Sequence, residues 1–316
     1  MTTSESNDDA RDPRKGTIES CQIDAIIRSV AKESTTHRTS ATPTPDAAMA
    51  ESLVDRFLWL AFPGFFGPRI AGGDSSAGLP RQISRLVDDI VHRLHPQLAS
   101  AFSCSTDEGS GCSEAEARER ADATVSTLID AVPEIRRLLA LDAKAGFRGD
   151  PAVNHPDEAI LCHPGLRALV IHRFAHELHR AEVPLLPRML SEIAHARTGI
   201  DLHPGAQIGS SCFIDHGTGV VVGETSVIGE RCTIYQGVTL GAKRFERHED
   251  GAIRRGYRRH PTLEADVTVY AGATILGGDT IVGKGSVVNG GVFLVQSVPP
   301  GSIVSGPRLE IQLRSR

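Results

Sequence analysis

The sequence has few aromatic residues and no long apolar run, and both shortages limit the classes of protein that it can encode. Phe, Trp and Tyr together make up 4% of the 316 residues, whereas glycine occurs 31 times. The longest apolar stretch, FLWLAFPGFFG over 57–67, contains a proline and is shorter than the about 20 residues that span a bilayer. A transmembrane protein is therefore not expected, and the glycine content favours a β architecture with many turns.

Cysteine spacing and net charge exclude further classes. The cysteines, at 21, 104, 112, 162, 212 and 232, show no CxxC spacing. Neither a zinc-binding frame nor a disulfide scaffold is predicted, so reduced thiols are expected. The net charge of −5 gives no general attraction to nucleic acids or anionic membranes. The N-terminal MTTSESNDDARDPRK lacks the apolar core of a signal peptide. Together with the net charge, this predicts a soluble cytoplasmic protein with no nucleic-acid or membrane partner.

Composition and periodicity divide the chain into segments. Residues 1–50 are rich in Ser, Thr, Asp and Pro, which predicts a disordered N-terminal segment. Apolar residues at three- and four-residue steps, as in RQISRLVDDIVHRLHPQL, predict a helical domain over 51–199. The further predicted segments are a β domain over 200–306 with a loop insertion at 243–260, and a C-terminal tail over 307–316.

After Gly199 the apolar period changes from helical steps to six. The aliphatic or equivalent positions are Leu202, Ile208 and Ile214, then after one step of eight Val222, Ile228, Ile234 and Leu240, and after a gap Leu263, Val269, Ile275, Ile281, Val287 and Phe293. Three hexads complete one coil of a triangular solenoid, in which the first residue of each hexad points into the core. A sandwich of ordinary short strands is the alternative, and the in-register run from Leu263 to Phe293 argues against it. The pattern therefore predicts a little over four coils of a β-helix.

One stretch of the β domain, FIDHGTGVVVGET, places an acid and an imidazole among aliphatic residues. Burial of these groups without partners would cost several kcal/mol. We therefore expect Ile214 and Val222 to point inward while Asp215 and His216 stand at a corner and face outward. Glycines at 217 and 219 let the backbone turn there and let a ligand approach closely.

Three stretches of the chain resemble one family. GIDLHPGAQIGSSCFIDHGTGVVVGETSVIGERCTIYQGVTLGAKRF, YRRHPTLEADVTVYAGATILGG and VPPGSIVSG are similar to segments of the serine O-acetyltransferases, the hexapeptide-repeat enzymes of cysteine biosynthesis. The resemblance covers residues 150–306. It implies an α+β protein in which an N-terminal all-helical domain precedes a left-handed parallel β-helix. It also implies a homotrimer or a dimer of trimers.

The resemblance implies roles for individual residues. His216 is similar to the general base that takes the proton of the serine hydroxyl, and Asp201 is similar to the carboxylate that orients this base. The other implied contacts are to the substrate ammonium (Asp150, Asp215), to the substrate carboxylate (Arg259, His260) and to coenzyme A (Gly241, Ala242, Lys243, Ala271). Acetyl-CoA is then a cosubstrate, and neither a permanently bound cofactor nor a metal is expected. Asp150 has a second interpretation, as the cap of the Asp-Pro turn that follows it.

The leading hypothesis for function is acetyl transfer from acetyl-CoA to L-serine, with L-cysteine as an inhibitor that shares the serine site. One alternative is another hexapeptide acyltransferase with a sugar or antibiotic acceptor, which would not need the residues for a zwitterion. A second is a β-helix zinc carbonic anhydrase that uses His203, His216 and His260. A third is a non-catalytic scaffold for O-acetylserine sulfhydrylase, and the retention of both Asp201 and His216 argues against it.

Three features depart from the family pattern or have two interpretations. The segment Lys243–Arg259 contains seven Lys or Arg and three acids, and is either a solvated loop or a lid over coenzyme A. Many family members end in an isoleucine that inserts into the sulfhydrylase, whereas this chain ends in Arg316, which puts that partner in doubt. A helix carries His172, His176 and His179 at metal-ligand spacing but without an HExxH motif, so we interpret them as surface or interface histidines.

Overall fold

Helices fill the N-terminal part of the chain, and short parallel strands fill the rest. The structure is a computed structural model that describes residues 20–32, 44–68, 75–104 and 112–307. Its helices are α1 (Ser20–Lys32), α2 (Ala47–Ala61), α3 (Ser75–Ser103), α4 (Glu114–Gly149), α5 (Pro156–Cys162), α6 (Pro164–Arg180) and α7 (Leu186–Thr198). Contacts divide the chain into two units, residues 1–42 and 43–316.

Helix α1 lies inside the segment whose composition predicts disorder. Its described side chains are exposed, and an apolar stripe is formed by Ile23, Ile26, Ile27 and Val30. These residues recur at three- and four-residue steps, which is a helix signal that the composition of the segment obscures. The other residues before position 44, namely 1–19 and 33–43, lie outside the described residues.

Short parallel strands build the second part of unit 43–316. They are β1 (Asp201–Leu202), β2 (Gln207–Ile208), β3 (Phe213–Asp215), β4 (Val221–Val222), β5 (Val227–Ile228), β6 (Thr233–Tyr235), β7 (Thr239–Gly241), β8 (Thr262–Leu263), β9 (Thr268–Val269), β10 (Thr274–Leu276), β11 (Ile281–Val282), β12 (Val287–Val288), β13 (Phe293–Leu294) and β14 (Ile303–Val304). Every third strand joins the same sheet, until β14 pairs with β12 and breaks this count. The sheet orders are β1-β4-β7-β10-β13, β2-β5-β8-β11 and β3-β6-β9-β12-β14. The predicted α+β fold, a helical region followed by a parallel β-helix, is confirmed.

The β-helix is longer than the hexads predict. Two sheets contain five strands each, and a parallel bridge between Val282 and Val298 extends the third sheet beyond β11. The prism therefore has about five coils rather than a little over four. The last coil was missed because residues 295–302 break the hexad pattern before β14.

The inward register of the last coils also differs from the prediction. Residues predicted to point inward, Ile281 and Phe293, are 39% and 68% exposed, whereas Val282 and Leu294 are 0% and 5% exposed. The step from Ile275 to the next inward residue is seven, because an extra residue is accommodated at the corner after β10. Gly277 adopts a φ of 109° there, a backbone conformation that residues with a Cβ atom disfavour. Ile281, Val287 and Phe293 are thus corrected to Val282, Val288 and Leu294.

A buried ion pair joins the helices to the first coil of the β-helix. Arg173 in α6 contacts Asp142 in α4 at 2.7 Å, and both side chains are almost inaccessible to solvent. Arg173 also donates to the carbonyls of Ile208 and Gly209, while Asp142 accepts from the N–H of Cys212 at 3.0 Å. Because both charges are paired and hydrogen-bonded, removal of either partner would leave an uncompensated buried charge. The pair therefore fixes the helices against the prism.

The end of α4 packs closely on the same coil. A Cβ on Gly149 would come within 2.6 Å of the Phe213 ring in β3, so only glycine fits between this helix and the strand. The next residue, Asp150, is the C-cap of α4. Close packing at Gly149 thereby positions Asp150 beside the end of β3, next to Asp215 and the corner that follows.

The insertion 243–260 is an ordered hairpin, which we call the arm. An antiparallel bridge pairs Arg247 with Ile253, and the His248 N–H donates to the Ala252 carbonyl at 2.8 Å. The Tyr257 hydroxyl closes the base of the arm, since it accepts from the Glu246 N–H at 2.9 Å and donates to the carbonyl of residue 244 at 3.2 Å. The arm leaves the prism after β7 and returns just before β8.

The described residues bear on two expectations from the sequence, one on the state of the cysteines and one on helices that could cross a membrane. Among the part of the chain that the structure describes, Cys104, Cys112, Cys162, Cys212 and Cys232 are free thiols. No helix within the described ranges has both the length and the apolar character needed to cross a membrane.

Candidate active site

His216 stands at the corner between β3 and β4 and faces solvent. Its side chain is 73% exposed, and its Nε2 lies 3.9 Å from Oδ1 of Asp215. The backbone of His216 adopts a φ of 55°, and Gly217 and Gly219 follow with φ of 81° and 77°. A left-handed conformation is unusual for a residue other than glycine and is costly unless the surroundings hold it. The sequence prediction that Ile214 points inward while Asp215 and His216 face outward agrees with this geometry.

Asp150 lies at the same corner, although it comes from a helix. Its Oδ2 is 3.0 Å from Nε2 of His163, and its Oδ1 accepts from the Ala152 N–H at 2.8 Å. The Ala152 hydrogen bond, together with His163 and His216, holds the pKa of Asp150 below its usual range. Asp150 therefore caps its turn, and its carboxylate lies close enough to His216 for the two charges to interact. His163 was not singled out from the sequence, since its only local signal is the proline that follows it.

Asp201 lies one coil below this corner but does not touch His216. Its strand, β1, pairs with β4, and the Asp201 N–H donates to the Val220 carbonyl at 2.9 Å. The preceding residue, Ile200, fills the space beneath Gly217, where a Cβ would come within 2.4 Å of the Ile200 Cδ1. Within the described residues, Asp201 and His216 make no hydrogen bond, so the structure brings them to neighbouring coils without a direct contact.

Arg259 and His260 occupy a different corner, between the strands of the first and second sheets. Arg259 forms an ion pair with Glu224, and the Thr225 N–H and hydroxyl both lie within 3.1 Å of Nδ1 of His260. Burial, and then the charge of Arg259, lower the pKa of His260 to about 4. The ring packs on Gly223, where any Cβ would clash with it at 2.1 Å. Glu224 and Thr225 were quoted in the motif VVVGET without a role, and their contacts are visible only in three dimensions.

The predicted substrate residues therefore fall into two groups within one chain. Asp150, Asp215 and His216 surround the turn that leads from the third sheet into the first, and Asp201 lies close below it. Arg259 and His260 surround the turn that leads from the first sheet into the second. One chain does not bring all six side chains together.

The residues predicted to contact coenzyme A are divided in the same way. Gly241, Ala242 and Lys243 end β7 and begin the arm, near the Arg259 corner. Ala271 follows β9 at the His216 side of the prism, where its carbonyl accepts from the Gly291 N–H at 2.9 Å. The cosubstrate site implied by these residues is thus also spread over two corners.

A pair of tyrosines extends the His216 corner upward along the prism. Asp215 is the register partner of Tyr235, and the Tyr235 ring stacks on Tyr270 of the next coil with centroids 5.0 Å apart. Burial, then the charge of Asp215, raise the pKa of Tyr235, so its hydroxyl stays protonated at neutral pH. Neither tyrosine was predicted as a site residue from the sequence. Each tyrosine directly follows the inward residue of its hexad, at equivalent positions of successive coils, and this was the available signal.

The histidines of α6 are not arranged as a metal site. His172 is 3% exposed, and its ring lies 5.7 Å from that of His176, which contacts the Pro204 carbonyl at 2.7 Å. They line a cavity of about 880 Å³ between α4, α6 and the strands β2 and β5. Their place in this cavity agrees with the predicted interface position. The alternative prediction, a surface position, is wrong for His172. The described residues contain no group of three ligands for a metal, and His216 lies at a different corner from His203 and His260.

Three proteins similar to this chain are serine acetyltransferases. The plasmid serine acetyltransferase of Synechococcus elongatus is 52% identical over 197 residues, which cover 62% of this chain and 60% of that protein. The crystal structure of Entamoeba histolytica serine acetyltransferase 1 in complex with L-cysteine has a TM-score of 0.69 and 31% identity, and covers 85% of this chain and 90% of that one. The Neisseria gonorrhoeae serine acetyltransferase in complex with serine has a TM-score of 0.51 and 25% identity, over 82% and 95% of the two chains. No family model matches the sequence.

The extent of the match differs between the curated relatives and the solved structures. The chain spans 60%, 52% and 50% of the lengths of the first curated relatives that it matches, two from Synechococcus elongatus and one from Synechocystis. The two solved structures above are matched over more of this chain, 85% and 82%.

Proposed function

Since this chain belongs to the serine acetyltransferase family, we propose that it transfers the acetyl group of acetyl-CoA to the hydroxyl of L-serine. The products are O-acetylserine and CoA. The observation that carries the proposal is the outward corner after β3, where the exposed imidazole of His216 lies near two carboxylates, Asp215 and Asp150. An imidazole titrates near neutrality and can take a proton from an alcohol at pH 7.

The reaction moves one proton and exchanges one acyl bond. The imidazole of His216 takes the hydroxyl proton while the serine oxygen attacks the acetyl carbonyl carbon. The C–S bond of the thioester then breaks, and the imidazolium gives the proton to the CoA thiolate. A carboxylate near the imidazolium stabilises it, and we assign this role to Asp201, which lies on the neighbouring coil.

The serine zwitterion needs acids at one end and a cation at the other. Asp150 and Asp215 supply two carboxylates for the ammonium, and the lowered pKa of Asp150 keeps it charged. Arg259 supplies a guanidinium for the carboxylate, and Glu224 holds that guanidinium in place. A neutral sugar hydroxyl would not require this separation of charges, so the arrangement favours an amino-acid acceptor.

We infer that the site is completed by a second copy of the chain. Asp150, Asp215 and His216 lie at one corner of the prism, whereas Arg259 and His260 lie at another. A serine molecule is too small to reach from one corner of the same prism to the other. Two prisms packed side by side would place the first corner of one chain against the second corner of its neighbour, and three such contacts close a homotrimer.

L-cysteine is proposed as an inhibitor that competes with serine. It differs from serine by sulfur for oxygen, so the groups proposed for the ammonium and the carboxylate would hold it equally well. Its thiol would then lie beside the imidazole of His216, which favours a thiolate and adds a charge-assisted contact.

The experiment that tests the proposed function measures thiol release from acetyl-CoA with a panel of hydroxyl acceptors. L-serine should give the highest kcat/KM, while a sugar and an aminoglycoside should give little more than the rate without acceptor. L-homoserine and D-serine serve as matched acceptors that keep both charges but misplace the hydroxyl. A higher kcat/KM for a sugar than for L-serine would reject the proposal.

A further inference from the structure

The base of the arm and the corner after β10 line a cavity of about 430 Å³ in which cations outnumber carboxylates by four to two. Its charged lining consists of Lys243, Arg244, Arg258, Arg259, Glu246 and Asp279. Two of these charges are already neutralised, because Glu246 pairs with Arg254 at 2.9 Å and Arg259 pairs with Glu224. Three cations and one carboxylate therefore determine the charge of the cavity.

The three cations, Lys243, Arg244 and Arg258, have few hydrogen-bond or ion-pair partners within the described residues. Among the described residues, the guanidinium of Arg244 makes no hydrogen bond or ion pair, and Arg258 donates only to the Thr262 hydroxyl. The Lys243 ammonium has a single long contact, 3.4 Å, to the Val295 carbonyl. Cations held together without partners repel one another, and a bound anion would remove that cost.

The cavity is built into the fold and is not a chance opening under a loose loop. Tyr257 ties the two strands of the arm together at their base. On the prism side, Gly278 lets the Arg258 backbone approach, since a Cβ there would come within 2.4 Å of the Arg258 carbonyl oxygen. Both walls of the cavity are therefore fixed by contacts that do not involve the cations.

We propose that this cavity binds a phosphate group of the acetyl-CoA nucleotide, with Arg244 and Arg258 as the principal contacts. The inference rests on the proposed function and deepens it. The lining begins at Lys243, directly after Gly241 and Ala242, so an anion here lies at the end of the segment assigned to the cosubstrate. Arginine binds phosphate through a planar fork of donors, and a charge-assisted contact is stronger than a neutral one. Free inorganic phosphate shares this chemistry and is the other source of such an anion.

The test compares three acetyl donors that differ in their phosphate groups. Acetyl-CoA has the 3′-phosphate and the pyrophosphate, acetyl-dephospho-CoA lacks the 3′-phosphate, and acetyl-pantetheine lacks both. Arg244→Ala and Arg258→Ala should each raise the KM for acetyl-CoA by about tenfold with little change in kcat, which is typical of one lost charge-assisted contact. Neither change should affect the KM for acetyl-pantetheine. If the 3′-phosphate is the bound group, the variants should also leave the KM for acetyl-dephospho-CoA unchanged.

Arg255→Ala is the matched control, because Arg255 lies on the same arm, is exposed and does not line the cavity. It should leave the KM for every donor within about twofold. Equal losses with acetyl-CoA and acetyl-pantetheine, or equal effects of all three substitutions, would overturn the proposal. Inorganic phosphate at millimolar concentration should raise the KM for acetyl-CoA in the unaltered protein only. If it inhibits with acetyl-pantetheine as donor to the same extent, the cavity is a separate phosphate site and the proposal is wrong.

Calorimetric titration with CoA separates this proposal from the proposed function, because it needs no acceptor. Weaker CoA binding in Arg244→Ala than in Arg255→Ala, in a protein that does not acetylate serine, would support the cavity while rejecting the acceptor. Serine acetylation with unchanged CoA binding in all variants would support the acceptor while rejecting the cavity as a phosphate site.

Discussion

Glu224 forms an ion pair with Arg259, 35 residues further along the chain, and the two side chains lie at the corner that leads into the second sheet. This contact orients the guanidinium, and through Thr225 the same segment also positions His260. We therefore regard Glu224 as a positioning residue for the group that is proposed to bind the serine carboxylate.

Glu224→Ala should raise the KM for serine by about tenfold and change kcat less, because Arg259 remains but is no longer oriented. Glu224→Gln keeps one hydrogen bond and should recover part of the loss. Initial rates at saturating acetyl-CoA check both variants. A fall in kcat at unchanged serine KM would show that Glu224 acts on the chemical step instead.

His216→Ala should lower kcat by about 10²-fold or more while CoA binding persists, since a general base typically contributes 10²–10⁴-fold. The control is His92→Ala, which removes an exposed imidazole on α3, far from the corner in sequence and in the fold. Steady-state kinetics and CoA titration measure the two effects. Turnover close to that of the control would reject His216 as the base.

Chains that carry different defects should complement one another if the site is shared. His216→Ala and Arg259→Ala chains, produced together, should regain about a quarter of the activity of the unaltered protein, because random assembly gives that fraction of intact sites. Each variant alone should be nearly inactive. A mixture with only the summed activity of the two variants would place the whole site within one chain. Sedimentation of the same samples gives the number of chains in the assembly.

Acid should destabilise the protein through two histidines, the buried His260 and the half-buried His203. Burial lowers the pKa of both His203 and His260 to about 4, against about 6.5 in an unfolded chain. The unfolded state therefore binds protons first, so stability is fully present above pH 6.5, falls as the pH is lowered toward 4, and levels off below it. Thermal unfolding between pH 7.5 and pH 4 measures the slope.

His203→Asn provides the matched variant for the acid experiment. Nδ1 of His203 accepts from the Gly205 N–H at 3.0 Å, and the asparagine oxygen can accept the same hydrogen bond without titrating. The variant should lose part of the pH dependence while keeping its Tm at pH 7.5 within a few degrees. An unchanged slope would mean that other groups cause the acid sensitivity.

L-cysteine should raise the apparent KM for serine without lowering kcat, because the two amino acids would compete for the same charged groups. Initial rates over a grid of serine and cysteine concentrations at fixed acetyl-CoA test this. An apparent serine KM that stays constant as cysteine increases would exclude a shared site. Asp215→Asn should weaken serine and cysteine together, since both carry the same ammonium.

The register of the β-helix shows where sequence periodicity no longer predicts which residues point into the core. Apart from the eight-residue step after Ile214 and the insertion after Leu240, the inward positions up to Ile275 follow from the spacing of six, because only apolar side chains tolerate the dry axis of the prism. Beyond it, the adjacent pairs Ile281–Val282 and Phe293–Leu294 are apolar at both positions, so either register satisfies the hexad pattern. The backbone decides between them, since Ile275 pairs with Leu294 and not with Phe293.

The sequence by itself determined that this protein is a helical region followed by a parallel β-helix, and which short motifs carry the polar groups of a family site. Period and motif are local properties, and each coil repeats the same inward and outward environment. Only the tertiary structure decided that Asp150 from α4 reaches the corner of His216, that Glu224 holds Arg259, and that these groups occupy two corners of one prism. Such contacts join residues that are distant along the chain, and their geometry depends on how many residues fill each coil and on how closely the helices pack against it.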